Sequence, residues 1–568
     1  MRITHRTFLL LFCLVPIGSF AQARPKADLI ILNAKVWTVD KSHPTAQAVA
    51  VMGDRILAVG SNAEISTLRG PSTKVIRAAG KLVLPGFNDA HLHFMDGGRQ
   101  LDQVQLNDAT SEQEFVRRVA EQAKKTPKGE WIEGGDWDET KWSPSTLPTR
   151  ETIDAVTPDN PVFLSRYDGH SALANSLALK LANVTAQTPD PPGGVIVRDA
   201  QRNPTGVLKD AAWDLVARVI PPLSREERLH AARRALEHAA SLGVTSVQTM
   251  NPDYADIAAY AELLQNGELT TRIYAAPLIT EGVDDQAKLG IRHAFGGPYL
   301  RIGAVKAFAD GSLGSRTAFF FEPFSDQPDN HGLLTAEMQP LSQMRDRMMK
   351  ADAAGIQICT HAIGDQAISI VLDLYSDFVK AHHGAERRLR IEHAQHMAEK
   401  DFARFAQLDV IASVQPYHAI DDGRWAEARI GHDRASRTYA FRTFVNYGVH
   451  LAFGTDWDVA PLNPMLGLYA AVTRATLDGK NPGGWFPEQK LTVAESVYAY
   501  TVGSAYAEFQ ENEKGSISPG KLADIVILSD DIFKIPPAKI RDVRVVKTIV
   551  GGKVIWDSQR KTPYSTGN

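Results

Sequence analysis

Cysteine is nearly missing from this chain: 568 residues contain two, Cys13 and Cys359. If the N-terminus is removed on export only Cys359 remains, which excludes a fold stapled by intrachain disulfides. No basic run, low-complexity tract or solenoid repeat is present. A net charge of −4 gives no reason to expect nucleic acid or an anionic membrane as partner. What is there is ordinary globular material, 44% hydrophobic and 23% charged, with ample core. The length exceeds an average domain, yet a barrel with insertions absorbs most of it.

The N-terminus differs from the rest. Arg2 and Arg6 precede the apolar stretch Phe8 to Ile17, and Ala21-Gln22-Ala23 follows as an A-x-A-like cleavage site. Such a run falls short of the roughly 20 residues that span a bilayer. Residues 1–23 therefore read as a signal peptide, with a mature protein starting near Arg24 that is exported to a bacterial periplasm or secreted; an uncleaved anchor is the alternative. Cleavage removes two arginines and no acid, taking the charge from −4 to −6. Phe12 is bulky where a lipoprotein signal needs a small residue before Cys13. Cys359, two residues before His361 on an apolar strand, reads as a buried inert thiol rather than a nucleophile or ligand.

Short strand patterns fill residues 24–80, with Met52-Gly53-Asp54 as a hairpin signal, and return in 508–568. Two β-rich ends suggest one β-sandwich domain built from both termini. Between them, residues 81–507 carry eight short apolar segments: Leu82–Leu84, Val244–Thr249, Ile273–Ile279, Leu300–Phe308, Ile356–Thr360, Leu389–Glu392, Val410–Val414 and Leu451–Gly454. Helical stretches such as Arg225–Leu242, Met338–Ala354 and Ala367–His382 separate several of them. This alternation predicts an α/β fold, a (β/α)8 TIM-like barrel. The long interval after the first strand predicts an inserted subdomain over about 96–240, holding Trp131, Trp137 and Trp142.

Pro85-Gly86-Phe87-Asn88-Asp89-Ala90-His91-Leu92-His93 is the most informative run. Residues two apart on a strand point the same way, so His91 and His93 can present two imidazoles to one metal; a structural pair is the alternative. Active sites of barrels sit where strands end, and the other strand ends supply Lys306 on the fourth, His361 on the fifth, His393 on the sixth and Asp456 on the eighth.

That order, His-x-His, Lys, His, His, Asp, resembles the amidohydrolase superfamily of metal-dependent hydrolases. The phrase Phe308-Ala309-Asp310-Gly311-Ser312-Leu313-Gly314-Ser315-Arg316-Thr317-Ala318 resembles the branch that contains N-substituted formamide deformylases. The resemblance implies two divalent metals, zinc being expected, bridged by an N6-carboxylated Lys306. His91, His93 and Asp456 would hold the first ion, His361 and His393 the second. Imidazole and carboxylate suit zinc, and two ions about 3.5–4 Å apart need a shared anionic bridge. The implied reaction is hydrolysis of a C–N bond other than a peptide bond, in a small N-substituted amide, with Asp456 as the catalytic proton carrier. An ester, lactone or cyclic amide substrate, or a non-catalytic binding or regulatory role, are the alternatives. The partner expected is a small molecule, with no nucleic acid and no membrane after cleavage; a homo-oligomer stays open.

Further candidates each have two readings. His170, in Asp168-Gly169-His170-Ser171, is a substrate contact or a cap. Gln248 ends the second strand, where it could hydrogen-bond substrate. Arg316 binds a polar substrate group or pairs with Asp310 or another acid. His418 touches substrate or sits in a loop, and Trp457, like Trp137, lines a pocket or packs. Glu392 alternates away from His393 and is expected to orient a ligand.

Overall fold

The computed structural model describes residues 25–560 apart from 167–170, 192–193, 211, 383 and 385, and leaves out the side chains of 140 and 210. The leader, Asp168, His170 and His383 lie outside the described residues. Among those described, no helix is long and apolar enough to cross a membrane.

Both chain ends build the β-sandwich. One sheet orders 55–60, 48–52, 29–32 and 74–77; the other orders 553–557, 545–550, 525–528, 82–85, 35–37 and 45–46. Alternating residues of the two sheets, including Ile31, Val49, Val83, Ile525 and Ile549, close on one another as an apolar core.

Leu82–Pro85 belongs to this sandwich, paired with 525–528 and with Lys35–Val36, and is not the first barrel strand. The sequence expectation fails here because only Pro85-Gly86 separates the apolar run Leu82–Leu84 from the strand that follows. Gly86 is the crossing point: a side chain there would collide with Thr245 at 2.2 Å.

Eight parallel strands follow, named here β1 (Phe87–Leu92), β2 (Val244–Met250), β3 (Arg272–Ala276), β4 (Ala304–Phe308), β5 (Gln357–Ala362), β6 (Arg390–His393), β7 (Ile411–Val414) and β8 (Leu451–Phe453). Their residues are buried almost throughout, polar ones included, because helices cover the outer face and side chains fill the inner one. β1 pairs β2 and β2 pairs β3, while β4 to β8 pair in order. The fourth segment is bent. Leu300–Ile302 pairs β3, and Gly303, at φ 112°, turns the chain so that Ala304–Phe308 pairs β5. Lys306 N donates to Pro277 O at 2.8 Å across that join. At the other seam Asp456 N donates to His91 O at 2.7 Å and His93 N to Trp457 O at 2.5 Å, so the ring of strands is completed as a barrel.

Helix Arg225–Ser241 starts in a capping box, Ser224 with Glu227, which satisfies donors at the helix start. It packs on helix Phe94–Gln100, where Gly98 leaves no room for a side chain beside Ala231 O. Between these helices residues 104–210 form a six-stranded sheet with separate apolar clusters around Phe115, Trp137 and Trp142 and around Phe163, Leu179 and Leu208.

Barrel and sandwich are tied by a buried ion pair. Arg272 of β3 grips Asp524 through Nε at 2.7 Å and Nη2 at 2.8 Å, both side chains being at most 5% exposed. Removing one partner of such a pair strands the other. Arg272→Met is expected to cost about 3–5 kcal/mol in denaturant unfolding, and a loss below 1 kcal/mol would contradict this.

Candidate metal centre

Strand alternation and the barrel's curvature bring six side chains of the fingerprint to the C-terminal ends of the strands. His91, His393 and Asp456 form the tightest group, with potential ligand atoms all within 4.8 Å of one another. His93 Nε2 lies 3.3 Å and His91 Nε2 3.4 Å from the same oxygen, Asp456 Oδ1. Lys306 Nζ is 3.3 Å from His91 Nε2. The His361 ring sits 4.6 Å from that of His393, centroid to centroid. One nitrogen of His361 is already engaged: Nε2 lies 3.2 Å from Gly311 O and 3.6 Å from Asp310 Oδ1.

Backbone strain marks two of the six. His393 at φ 70° and Asp456 at φ 61° occupy the left-handed region, which costs a non-glycine residue about 1–3 kcal/mol and clusters at functional sites. At His393 this turn breaks strand alternation, so that Glu392 and His393 both reach the centre.

Two of the imidazoles have a partner on their second nitrogen, and two buried carboxylates brace the backbone around the centre. Glu392 Oε2 accepts from His91 Nδ1 at 2.7 Å, the orienting role expected for it. Gln415 Oε1 pairs with His393 Nδ1 at 2.9 Å. Asp310, buried, accepts backbone N–H groups of Phe319, Ile363 and Gly364 at 2.8–2.9 Å, fastening the loops after β4 and β5. Asp89 joins the β1–β8 seam, accepting from His91 N at 3.1 Å, Thr455 N at 3.0 Å and Thr455 Oγ1 at 2.6 Å. Gln415 and Asp89 carried no separate signal in the sequence, because one chain does not show which side chains will meet a neighbouring strand end.

Electrostatics leave two of the imidazoles, His361 and His393, suited to donate. Burial, aided by Lys306, pushes His361 down to about 3, and burial with the neighbouring His361 takes His393 well below its usual value. Burial opposes charge on His93 too, but Asp456 outweighs it and raises that group. For Asp456 burial favours the neutral acid, and hydrogen bonds from His91 and His93 overcome this, holding the carboxyl well below the usual range. Lys306, fully buried, is pushed down to about 8 by burial, against the opposing pull of Glu392 and Asp456. Neutral imidazoles and an ionised carboxylate are the forms that bind metal.

Three expected substrate contacts lie elsewhere. Gln248 is fully buried inside the barrel, donating to Ser504 O at 2.7 Å and accepting from Arg390. Arg316 pairs with Asp326 at 2.8 Å, the scaffold alternative. Trp457 is 3% exposed, against Phe94 and His238; its ring occupies the space a side chain on Gly97 would need. His418 does come to the centre, with Nε2 3.9 Å from Asp456 Oδ2 and no hydrogen-bond partner among the described residues. A cavity of about 550 Å³ lies between the helix after β1 and the inserted sheet, walled by Met95, Asp96, Phe163, Trp213 and Asn251. None of the six centre residues lines it.

The model of the amidohydrolase family matches residues 74–556. The chain belongs to this family. Among relatives of this amidohydrolase, protein LONG AFTER FAR-RED 3 of Arabidopsis thaliana is 38% identical over 93% of this chain and 92% of its own length. The N-substituted formamide deformylase of Arthrobacter pascens is 28% identical over 93% and 98%. A crystal structure described as an uncharacterized metal-dependent hydrolase from Pyrococcus horikoshii OT3 superposes with a TM-score of 0.77 at 29% identity, covering 90% of this chain and 99% of the other.

Gly454 controls the seam of this amidohydrolase barrel. A Cβ there would stand 2.6 Å from His91 N and 3.0 Å from Asp89 Oδ1. Gly454→Ala is expected to lose about 1–3 kcal/mol by over-packing and to weaken metal retention, read by unfolding and metal analysis. Wild-type values of both would contradict the tight seam.

Proposed function

We propose that the chain hydrolyses an amide-type C–N bond of a small N-substituted amide, using water activated at a divalent metal centre. The observation that carries this is the convergence of four histidines, Lys306 and Asp456 on one buried point of an amidohydrolase barrel. Similarity to a deformylase over nearly the whole chain supports the substrate class.

The donor set fits zinc: imidazoles and a carboxylate in near contact, with oriented second nitrogens. His91, His93 and Asp456 would hold one ion and His361 with His393 a second, with a carboxylated Lys306 between them. Its lowered pKa leaves a fraction of the amine unprotonated near neutral pH, the form that captures carbon dioxide. Bound there, the metal supplies Lewis acidity, bringing the pKa of water from about 15.7 towards 7 and polarising the carbonyl.

The protein's own groups do the rest. Asp456, ionised and reached by two imidazoles through Oδ1, has Oδ2 free on the His418 side. It accepts the proton of the attacking water and returns it to the departing amine. His418 Nε2, buried and unpaired beside that oxygen, hydrogen-bonds the polar part of the substrate.

Two outcomes check this reading. Chelation should abolish hydrolysis of N-substituted formamides, zinc should restore it, and zinc at 100 times its Kd should add about 2.7 kcal/mol of stability. Activity that survives complete metal removal would end it. Asp456→Asn should keep the fold but lower kcat by about 10²–10⁴; turnover within a few-fold of wild type would remove Asp456 from the proton path.

A further inference from the structure

Arg390 is a charged side chain with no exposed surface in the middle of the barrel. Strand alternation sets it on the same inner face as Glu392. Its fork reaches four strands. Within β6, Nε donates to Glu392 Oε1 at 2.8 Å and Nη2 to Glu392 Oε2 at 3.1 Å. Nη2 also donates to Ala90 O of β1 at 2.6 Å and to Ser413 Oγ of β7 at 3.0 Å. Nη1 donates to Gln248 Oε1 of β2. Gln248 in turn is held by Ser504 O at 2.7 Å and stands 3.5 Å from Asn88 Oδ1. Asn88 Nδ2 donates to Glu508 Oε1 at 2.6 Å, and Glu508 pairs with buried Lys514 at 2.6 Å.

A continuous buried chain therefore runs from the segment after the barrel, through its interior, to the centre. Its last link is Glu392 Oε2 on His91 Nδ1 at 2.7 Å. The guanidinium occupies both carboxylate oxygens, so Glu392 has one position in which it can accept from His91. Once Nδ1 is engaged there, the ring's torsion is fixed and Nε2 faces Lys306 and Asp456. Lysine could not replace the fork: it is a point charge without planar, bidentate geometry.

We propose that Arg390 is a positioning residue, which through Glu392 locks the His91 ring with Nε2 aimed into the metal centre. The inference rests on the metal reading of that centre for its consequence, though not for its geometry. A residue that merely filled space would affect folding alone.

Arg390→Lys keeps the charge without the fork, and Glu392→Gln keeps the shape without the charge. Crystals of the metal-free Arg390→Lys protein are expected to show the His91 ring turned away from Glu392. Competition with a chromogenic chelator is expected to show a zinc Kd about 10–100-fold weaker, in protein whose near-ultraviolet dichroism is native. Either readout left at its wild-type value overturns the proposal. Should Arg390→Lys fail to fold, Glu392→Gln is judged by the same two readouts. If the unaltered protein takes up no zinc, the metal reading fails by itself, and the ring orientation still decides the role of Arg390.

Discussion

A guanidinium and a carboxylate with no access to water stand at the middle of this barrel, and the centre above them depends on their mutual fit. Ionised groups in such a place cost several kcal/mol each in lost hydration, and only near-complete hydrogen bonding offsets that. Arg390 meets the condition by spending its donors on Glu392, Gln248, Ser413 and the Ala90 carbonyl. Withdrawing Glu392 or Gln248 would leave a buried N–H of the guanidinium unpaired. The same interactions that make the pair tolerable thus tie β1, β2, β6 and β7 together, with His91 hung from the one carboxylate edge that remains.

Asp456 reaches the centre by a different route. Its position follows from the closing seam: Gly454 lets β8 approach β1, and Asp456 N donates to His91 O at 2.7 Å. The residue then sits at φ 61°, a conformation stable only where neighbours enforce it. Backbone closure and side-chain convergence are one event here. A barrel that failed to close would have no centre, whichever donors its strands carried.

Much of this was legible in the chain. Seven of the eight expected strands fall at barrel positions, because apolar runs separated by helices have few other solutions, and the six donors stood at strand ends. Direction along a strand is readable from alternation; depth within the barrel is not. Gln248 looked like a strand-end residue, yet it lies a layer below the centre, where Arg390 needs it. Arg316 found its acid ten residues on at Asp326, and Trp457 found its space over Gly97. Leu82–Leu84 was misplaced because it leads into β1 with only Pro85-Gly86 between them. Arg390 did leave a trace: it and Glu392 are opposite charges spaced i, i+2 in one strand, so they share a face, and a buried face tolerates them only as a pair.

Barrel and inserted sheet differ in how much of their structure can be read from the chain. The inserted sheet buries Phe115, Trp137, Trp142 and Leu164 in one cluster and Phe163, Leu179 and Leu208 in another. Apolar clusters of this kind accept many combinations of equal volume, so their sequence says little about the shape of the cavity wall they support. Hydrogen-bonded charges inside the barrel accept far fewer, since Arg390 must meet Glu392, Gln248, Ser413 and the Ala90 carbonyl at once. Chemistry carried by groups with few alternatives leaves a fingerprint in the chain. Specificity carried by surfaces with many alternatives leaves a composition.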